Sequence, residues 1–169
     1  IMKLSDLLVN IEYTAENDLN PEIGDIIYDS RKVTYGTVFV CLKGYTSDGH
    51  KYAKSAVEKG ASALVISDEL DFEVPKNVAV IKTANTRLAL ALMSAEFFGN
   101  PANELKTVAI TGTKGKTTTT AMVAEIFEQA GIKTGTIGTL GIVYGGKTYK
   151  TDNTTPESYE IQKAMRDMI

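Results

Sequence analysis

The sequence predicts an α/β protein in two parts: a small N-terminal α/β domain over residues 1–84, then the first part of a phosphate-loop (P-loop) α/β domain over 85–169. Three observations carry this. The runs Val38-Phe39-Val40-Cys41-Leu42, Ala63-Leu64-Val65-Ile66 and Val78-Ala79-Val80-Ile81 are short and unbroken, as strands buried on both faces are. A helical pattern lies between the first two, which points to parallel topology. Finally, Thr107-Val108-Ala109-Ile110 reads as a strand and leads through Thr111-Gly112-Thr113-Lys114-Gly115-Lys116-Thr117 into a helical pattern ending near Gly131.

Taken in order, Met2 to Val9 has helical spacing through Met2, Leu4, Leu7 and Leu8, and Glu12 to Pro21 is polar loop. Asp25-Ile26-Ile27-Tyr28 reads as a short strand before Asp29-Ser30-Arg31. Thr37 to Leu42 is a buried strand. The glycine-bracketed loop Gly44 to His50 precedes a helix over Tyr52 to Lys59, with Gly60 as its stop. Thr86 to Phe98 is a helix with Leu88, Ala91, Leu92, Ala95 and Phe98 on one stripe, ended by Gly99-Asn100-Pro101. The helix after the loop carries Val123, Ile126, Phe127 and Ala130 at the spacing of a buried face. Ile142-Val143-Tyr144 and Lys147-Thr148-Tyr149 flank Gly145-Gly146, a pair suited to a primed hairpin turn. Thr155 as N-cap and Pro156 as first helical residue would open a last helix through Tyr159, Ile161, Ala164, Met165 and Met168. That helix is still running at Ile169, and the sheet begun by the phosphate loop is unfinished there, so a fragment of a longer protein is expected.

Composition narrows the function classes. The 169 residues carry a net charge of −3, with 43% hydrophobic and 23% charged residues, as in ordinary soluble domains. This balance argues against a general nucleic-acid binder, so the loop lysines are local and specific. Cys41 is the single cysteine, which excludes an internal disulfide and fits a reducing, cytoplasmic setting. No apolar run is long enough to cross a bilayer.

The loop carries the chemistry. Its glycines let backbone N–H groups approach an anion. The helix start adds roughly half a positive charge. Lys116 is placed for β- and γ-phosphates, and Thr117 offers a hydroxyl to Mg²⁺. The general P-loop pattern has a glycine five positions before Gly115, where this chain has Ile110, so the loop is a tighter variant. The competing reading is an ordinary strand–helix turn. Two lysines with no acid at a helix start oppose the macrodipole, which favours an anionic ligand over that reading. His50, the only histidine, has no second histidine or cysteine cluster to support metal or acid–base chemistry, and a structural role is expected. Glu157 is read as a favourable charge at a helix start rather than a Mg²⁺ ligand.

Four motifs in order resemble one family. They are Asp29-Ser30-Arg31; Val38 to Gly44 with Asp48-Gly49-His50; Thr111 to Thr119; and Asn153-Thr154-Thr155-Pro156. Together they look like the N-terminal third of a Mur ligase. The loop followed by Gly135-Thr136-Ile137-Gly138-Thr139 and Asn-Thr-Thr-Pro favours those that add the third residue of the peptidoglycan stem peptide. Lys114 departs from the asparagine usual in the family, but keeps the backbone cradle.

The resemblance implies a cytoplasmic, monomeric, ATP- and Mg²⁺-dependent amide ligase. Its partners would be UDP-N-acetylmuramoyl-L-alanyl-D-glutamate and a diamino acid, meso-diaminopimelate or L-lysine, with an acyl phosphate as intermediate. It implies ATP contacts at Gly112, Thr113, Lys114, Gly115, Lys116, Thr117 and Thr118, with Lys116 as the catalytic cation and Thr117 as the metal ligand. It implies UDP-substrate contacts at Tyr28, Ser30, Tyr45, Thr46, Ser47, Asn153, Thr154 and Thr155, the first domain holding the UDP end. On the residues alone, Ser30-Arg31 is equally a turn with an ion pair, and Asn153 to Thr155 is first of all a helix cap. The part of the family that selects the amino acid would follow Ile169, so this chain alone is not expected to ligate. The rival readings are another Mur-type or folylpolyglutamate-type ligase, and a non-catalytic nucleotide-sugar-binding module.

Overall fold

The apolar runs through Phe39 and Leu64 become the middle of a five-stranded sheet. A computed structural model describes residues 1–17, 19–44, 47–150 and 156–169. The chain divides into two units, Ile1–Phe97 and Phe98–Ile169.

The first unit runs Met2–Lys3 (β1), Leu4–Leu7 (α1), Thr14–Glu16 (β2), Glu22–Ile23 (β3), Asp25–Ile27 (β4), Thr37–Val40 (β5), a 3-10 turn Gly49–Tyr52, Ala53–Glu58 (α2), Ala63–Ile66 (β6), Ala79–Lys82 (β7) and Thr86–Phe97 (α3). The main sheet has the order β2-β7-β6-β5-β4. The last four of these strands are mutually parallel, in the register Ile26↔Val38, Phe39↔Leu64 and Leu64↔Val80. β2 adds an antiparallel edge to β7. All residues of β5 and β6 are buried, which is why their sequences are continuous rather than alternating apolar runs. Phe39, Cys41, Leu64, Ile66 and Val80 pack under Ala53 and Ala56 of α2. Alternate residues such as Val38, Val40 and Val65 point the other way, and α3 packs on the sheet at β4 and β6. Truncating Phe39, which is 1% exposed, would cost about 3–5 kcal/mol.

Three local expectations change in this unit. Within the stretch read as polar loop, Thr14–Glu16 is the edge strand β2, paired with β7. The N-terminal helix is a single turn, because Met2–Lys3 instead pairs antiparallel with β3. α3 forms as expected, but buries Thr86, Ala89, Leu90, Met93 and Ser94. Leu88, assigned to the apolar stripe by its spacing, is 54% exposed. An almost uniformly apolar helix gives periodicity little to discriminate, and packing chose a rotated face. α3 packs on α1, β4 and β6, so the first compact unit runs through Phe97.

The second unit contains a short 3-10 turn Pro101–Asn103, Lys116–Gln129 (α4), Thr136–Gly138 (β8), Gly141–Tyr144 (β9), Lys147–Tyr149 (β10) and Ser158–Met168 (α5). β8, β9 and β10 form an antiparallel sheet. Its tight turn has Gly145 at φ +56 and Gly146 at φ +73, as a primed hairpin requires. Arg166 of α5 donates to the carbonyls of Phe98 (2.7 Å) and Gly99 (3.0 Å) and pairs with Glu104 at 2.8 Å. Tyr159 meets Phe98 edge to face, centroids 5.2 Å apart.

Three expectations are corrected here. Thr107 to Ile110 is not a strand, since no described residue forms a ladder with it, and Val108 is 68% exposed. α4 has its expected length, but none of its residues is buried; Ile126 and Phe127 are exposed. α5 starts later than expected. Glu157 is its N-cap in an extended conformation and its carbonyl receives the first helical bond from Ile161, so Pro156 lies outside the helix. Thr155, the expected cap, lies outside the described residues.

Candidate functional site

Two places collect the chemistry-bearing residues, one in each unit. In the second unit, the loop bends through Thr113 and Lys114 and enters α4 at Gly115. Gly115 has φ +80 and ψ −7, a left-handed conformation that glycine adopts without cost. An added Cβ would meet nothing within 4 Å, so the constraint is conformational rather than steric. The first turn of a helix leaves N–H groups without intrahelical acceptors. Among the described residues no side chain caps them, and no acidic residue lies in that turn. Thr119 N–H bonds the Gly115 carbonyl at 2.9 Å, the first rung of the helix. The ammonium of Lys116 donates to the Gly112 carbonyl at 2.5 Å. Gly112 through Thr118, including Thr113, Lys114 and Thr117, are all exposed.

This donor set suits a polyphosphate, with uncapped amides at a positive helix end and two lysines beside them. For Mg²⁺, the loop offers the Thr117 hydroxyl without a carboxylate in the first turn. A hard cation wants several oxygens, so a metal here would draw the rest from phosphate and water.

In the first unit, the carboxyl ends of four parallel strands lie side by side. Ligands of open α/β sheets bind outside such ends. β4 is followed by Tyr28, Asp29 and Ser30, all half-buried. Asp29 and Arg31 form a two-pronged pair, Nε–Oδ1 at 2.9 Å and Nη2–Oδ2 at 2.8 Å, and Arg31 N–H also donates to Oδ1. The guanidinium holds the Asp29 carboxyl at about 2. Lys59 donates to the Ser30 carbonyl at 2.7 Å. The turn with an ion pair is therefore present, and it leaves the Ser30 hydroxyl for other contacts. Beyond β5 come Lys43, Gly44 and Ser47, whose hydroxyl meets the Tyr52 hydroxyl at 3.2 Å. Tyr45, Thr46, Asn153, Thr154 and Thr155 lie outside the described residues.

A cavity of about 350 Å³ opens at the same edge, lined by Lys43, Ser67, Asp68, Ala84, Asn85, Thr86 and Arg87. Asn85 caps α3 by accepting from Leu88 N–H at 3.0 Å. Lys43 and Asp68 pair at 2.5 Å. Sequence reasoning passed over Lys43, Ser67, Asp68, Asn85 and Arg87. The available signal was position: each directly follows, or nearly follows, a strand that the apolar runs identify. Cys41, under this edge, is inert, because burial and then the charge of Asp48 push its thiol up to about 12.

Fold and loop together define a class: an α/β protein with a phosphate-loop sequence at a helix start. Family profiles narrow it. That of the Mur ligase family, catalytic domain, matches residues 22–98, and that of the Mur ligase middle domain matches 110–169. The chain belongs to the Mur ligase family. It is 45% identical over 169 residues to the UDP-N-acetylmuramoyl-L-alanyl-D-glutamate–2,6-diaminopimelate ligase of Clostridium botulinum, covering 99% of this chain and 35% of that protein. It is 47% identical to the ligase of the same name from Bacillus velezensis, covering 99% and 34%. The chain thus spans about a third of the length of the curated relatives it matches. Among solved structures, a UDP-N-acetylmuramoyl-L-alanyl-D-glutamate–2,6-diaminopimelate ligase matches with a TM-score of 0.67 and 26% identity over 86% of this chain and 29% of that one. The UDP-N-acetylmuramoylalanyl-D-glutamyl-2,6-diaminopimelate–D-alanyl-D-alanyl ligase from Acinetobacter baumannii matches with a TM-score of 0.57 and 31% identity, covering 74% and 27%.

Proposed function

We propose that this chain is the N-terminal part of an ATP-dependent ligase that joins 2,6-diaminopimelate to UDP-N-acetylmuramoyl-L-alanyl-D-glutamate in the cytoplasm. The observation that carries the reading is 45% identity across 99% of the chain to a ligase so named. The uncapped helix start at Gly115 and Lys116 supports it.

In this reading the first unit holds the UDP end at its strand termini, with Tyr28, Ser30 and the segment Tyr45 to Ser47 as contacts. Asn153, Thr154 and Thr155 contact the muramoyl peptide. ATP supplies the phosphoryl group that activates the D-glutamate carboxylate for attack by the incoming amine. The chain's part is positioning and charge neutralisation, which dominate phosphoryl transfer. Backbone N–H groups from Gly112 to Thr118 cradle the phosphates. Lys116 leaves the Gly112 carbonyl and neutralises the β- and γ-oxygens. Thr117 contributes one oxygen to Mg²⁺. The protein acts as a monomer.

The test is release of ADP and phosphate by the full-length gene product, dependent on both UDP-N-acetylmuramoyl-L-alanyl-D-glutamate and 2,6-diaminopimelate. Turnover with L-lysine instead would change the amino acid and keep the class. ATP hydrolysis indifferent to the UDP substrate would sink the reading. In parallel, calorimetry of this chain should detect the muramoyl dipeptide in preference to UDP-N-acetylglucosamine.

A further inference from the structure

Asp48-Gly49-His50 is the motif that the proposed chemistry leaves without a task, and its geometry is specific. The His50 side chain is 8% exposed. Its Nδ1 lies 2.6 Å from Asp48 Oδ1, which also accepts the His50 backbone N–H at 3.0 Å. On the far side of the ring, Nε2 accepts the backbone N–H of Ser67 at 3.0 Å and of Asp68 at 3.3 Å. Backbone N–H groups can only donate, so Nε2 is unprotonated and the proton sits on Nδ1, shared with Asp48. Both ring nitrogens are occupied. Asp48, His50 and Asp68 offer ligand atoms within 4.8 Å of one another, as a metal site would. Yet the imidazole has no lone pair to give, and the Lys43 ammonium already sits on Asp68 at 2.5 Å.

The ring ties two strand ends together. Beyond β5 the chain turns back on itself: Lys43 bridges Asp48, Gly44 N–H bonds the Ser47 carbonyl at 2.9 Å, and Gly49 N–H bonds the Leu42 carbonyl at 2.8 Å. Ser67 and Asp68 directly follow β6. Through Asp48 on one side and Ser67-Asp68 on the other, His50 fixes the two walls of the cavity that carry Lys43 and Asp68.

We infer that His50 is a positioning residue of the nucleotide-sugar site, acting as a neutral Nδ1–H imidazole that sets the spacing between the ends of β5 and β6. This rests on the proposed function for the site's ligand, and on the hydrogen bonds alone for the tie itself. His50 neither binds metal nor moves a proton to substrate. The charged groups around the ring are Asp48 on its own turn, Lys43 from the end of β5 and Asp68 from the end of β6, the charge of Asp68 also acting on Lys82 of β7. Protonating the ring would set an Nε2–H against two N–H donors.

The tie is tested by ¹⁵N NMR of this chain, whose single histidine makes assignment immediate. Nε2 in the unprotonated range and Nδ1 protonated at neutral pH is the expected result; the opposite tautomer overturns the proposal. Hydrogen exchange at the Ser67 and Asp68 amides should accelerate in His50→Phe and stay slow in His50→Gln, whose amide oxygen can accept both bonds. The functional arm uses the full-length gene product. In His50→Phe, KM for UDP-N-acetylmuramoyl-L-alanyl-D-glutamate should rise by about tenfold to a hundredfold. KM for ATP and kcat should hold, and His50→Gln should recover most of the loss. An unchanged KM in folded His50→Phe, or an equal rise in both KM values, overturns the positioning role. If the wild-type protein does not turn over this substrate, the functional reading fails by itself, and the NMR and exchange arms still decide the tie.

Discussion

The Lys116 ammonium is bonded to the carbonyl of Gly112, at the other end of its own loop, at 2.5 Å. In the proposed function that carbonyl oxygen stands in for a phosphate oxygen, and the lysine is already held beside the loop. The bond is exposed, so exchanging it for an oxygen of a negatively charged phosphate group costs little and gains a charge-assisted bond. Lys116→Ala in the full-length protein should lower ligation by at least about a hundredfold. Affinity for the UDP substrate, measured by calorimetry, should not change. A loss of UDP-substrate affinity would show that the lysine does something other than hold nucleotide phosphates.

Asp29 and Arg31 support a prediction about acid. The side-chain hydrogen bonds from Arg31 hold the Asp29 carboxyl at about 2, below the ordinary 3.8. A group whose folded value is depressed contributes stability above its unfolded value and loses it as pH falls through the folded one. The contribution is thus full above about pH 4 and gone below about pH 2. The Arg31 side chain is 87% exposed, so solvent screening keeps the energy below about 1 kcal/mol. In Arg31→Ala, the Asp29 carboxyl followed by NMR should titrate near its ordinary value, with a loss of unfolding free energy in urea of that small size at pH 7 that fades as pH falls towards 2. A larger loss at pH 7 would mean that Arg31 also holds the chain by packing.

Gly49 makes a separate prediction, because its constraint is steric. A Cβ there would lie 2.8 Å from Leu42 N and 2.9 Å from Leu42 O, both backbone atoms in the core edge. No side-chain rotation can relieve that contact. Gly49→Ala should destabilise the first unit by about 1–3 kcal/mol in chemical denaturation. A neutral result would mean that the turn after β5 can move away from Leu42 freely. That outcome would also weaken the case for His50 as the residue that fixes it.

The parallel core was legible because β5 and β6 are buried on both faces and leave no polar residue to interrupt the pattern. The hairpin was legible because two adjacent glycines at positive φ have few other uses. Local sequence said less where a decision depends on distant partners. Periodicity named Leu88 for the buried face of α3, yet tertiary packing chose Ala89, Leu90 and Met93. The Gly-Lys-Thr loop announced itself through chemistry that needs only neighbouring residues. Lys43, Asp68 and Arg87 did not, because they come together only when three strands align.

The second unit yields the last prediction. Prolines aside, all but two of the buried hydrophobic side chains of the described residues lie in the first unit, the exceptions being Ile142 and Ala164. α4 buries none of its fourteen residues, and Val108, Met122, Ile126 and Ile132 stay more than half exposed. Helices in water owe most of their stability to a buried face, and a helix of this length without one is marginal. The two units should therefore not unfold together in this chain. Hydrogen exchange should protect the amides of β5, β6 and β7 by the full stability of the first unit, while those of α4 exchange orders of magnitude faster. Fluorescence of a hydrophobic dye should rise with the intact chain and fall when the full-length gene product is used. Equal protection of Val40 and Ile126 would show that α4 has found a covering surface within this chain.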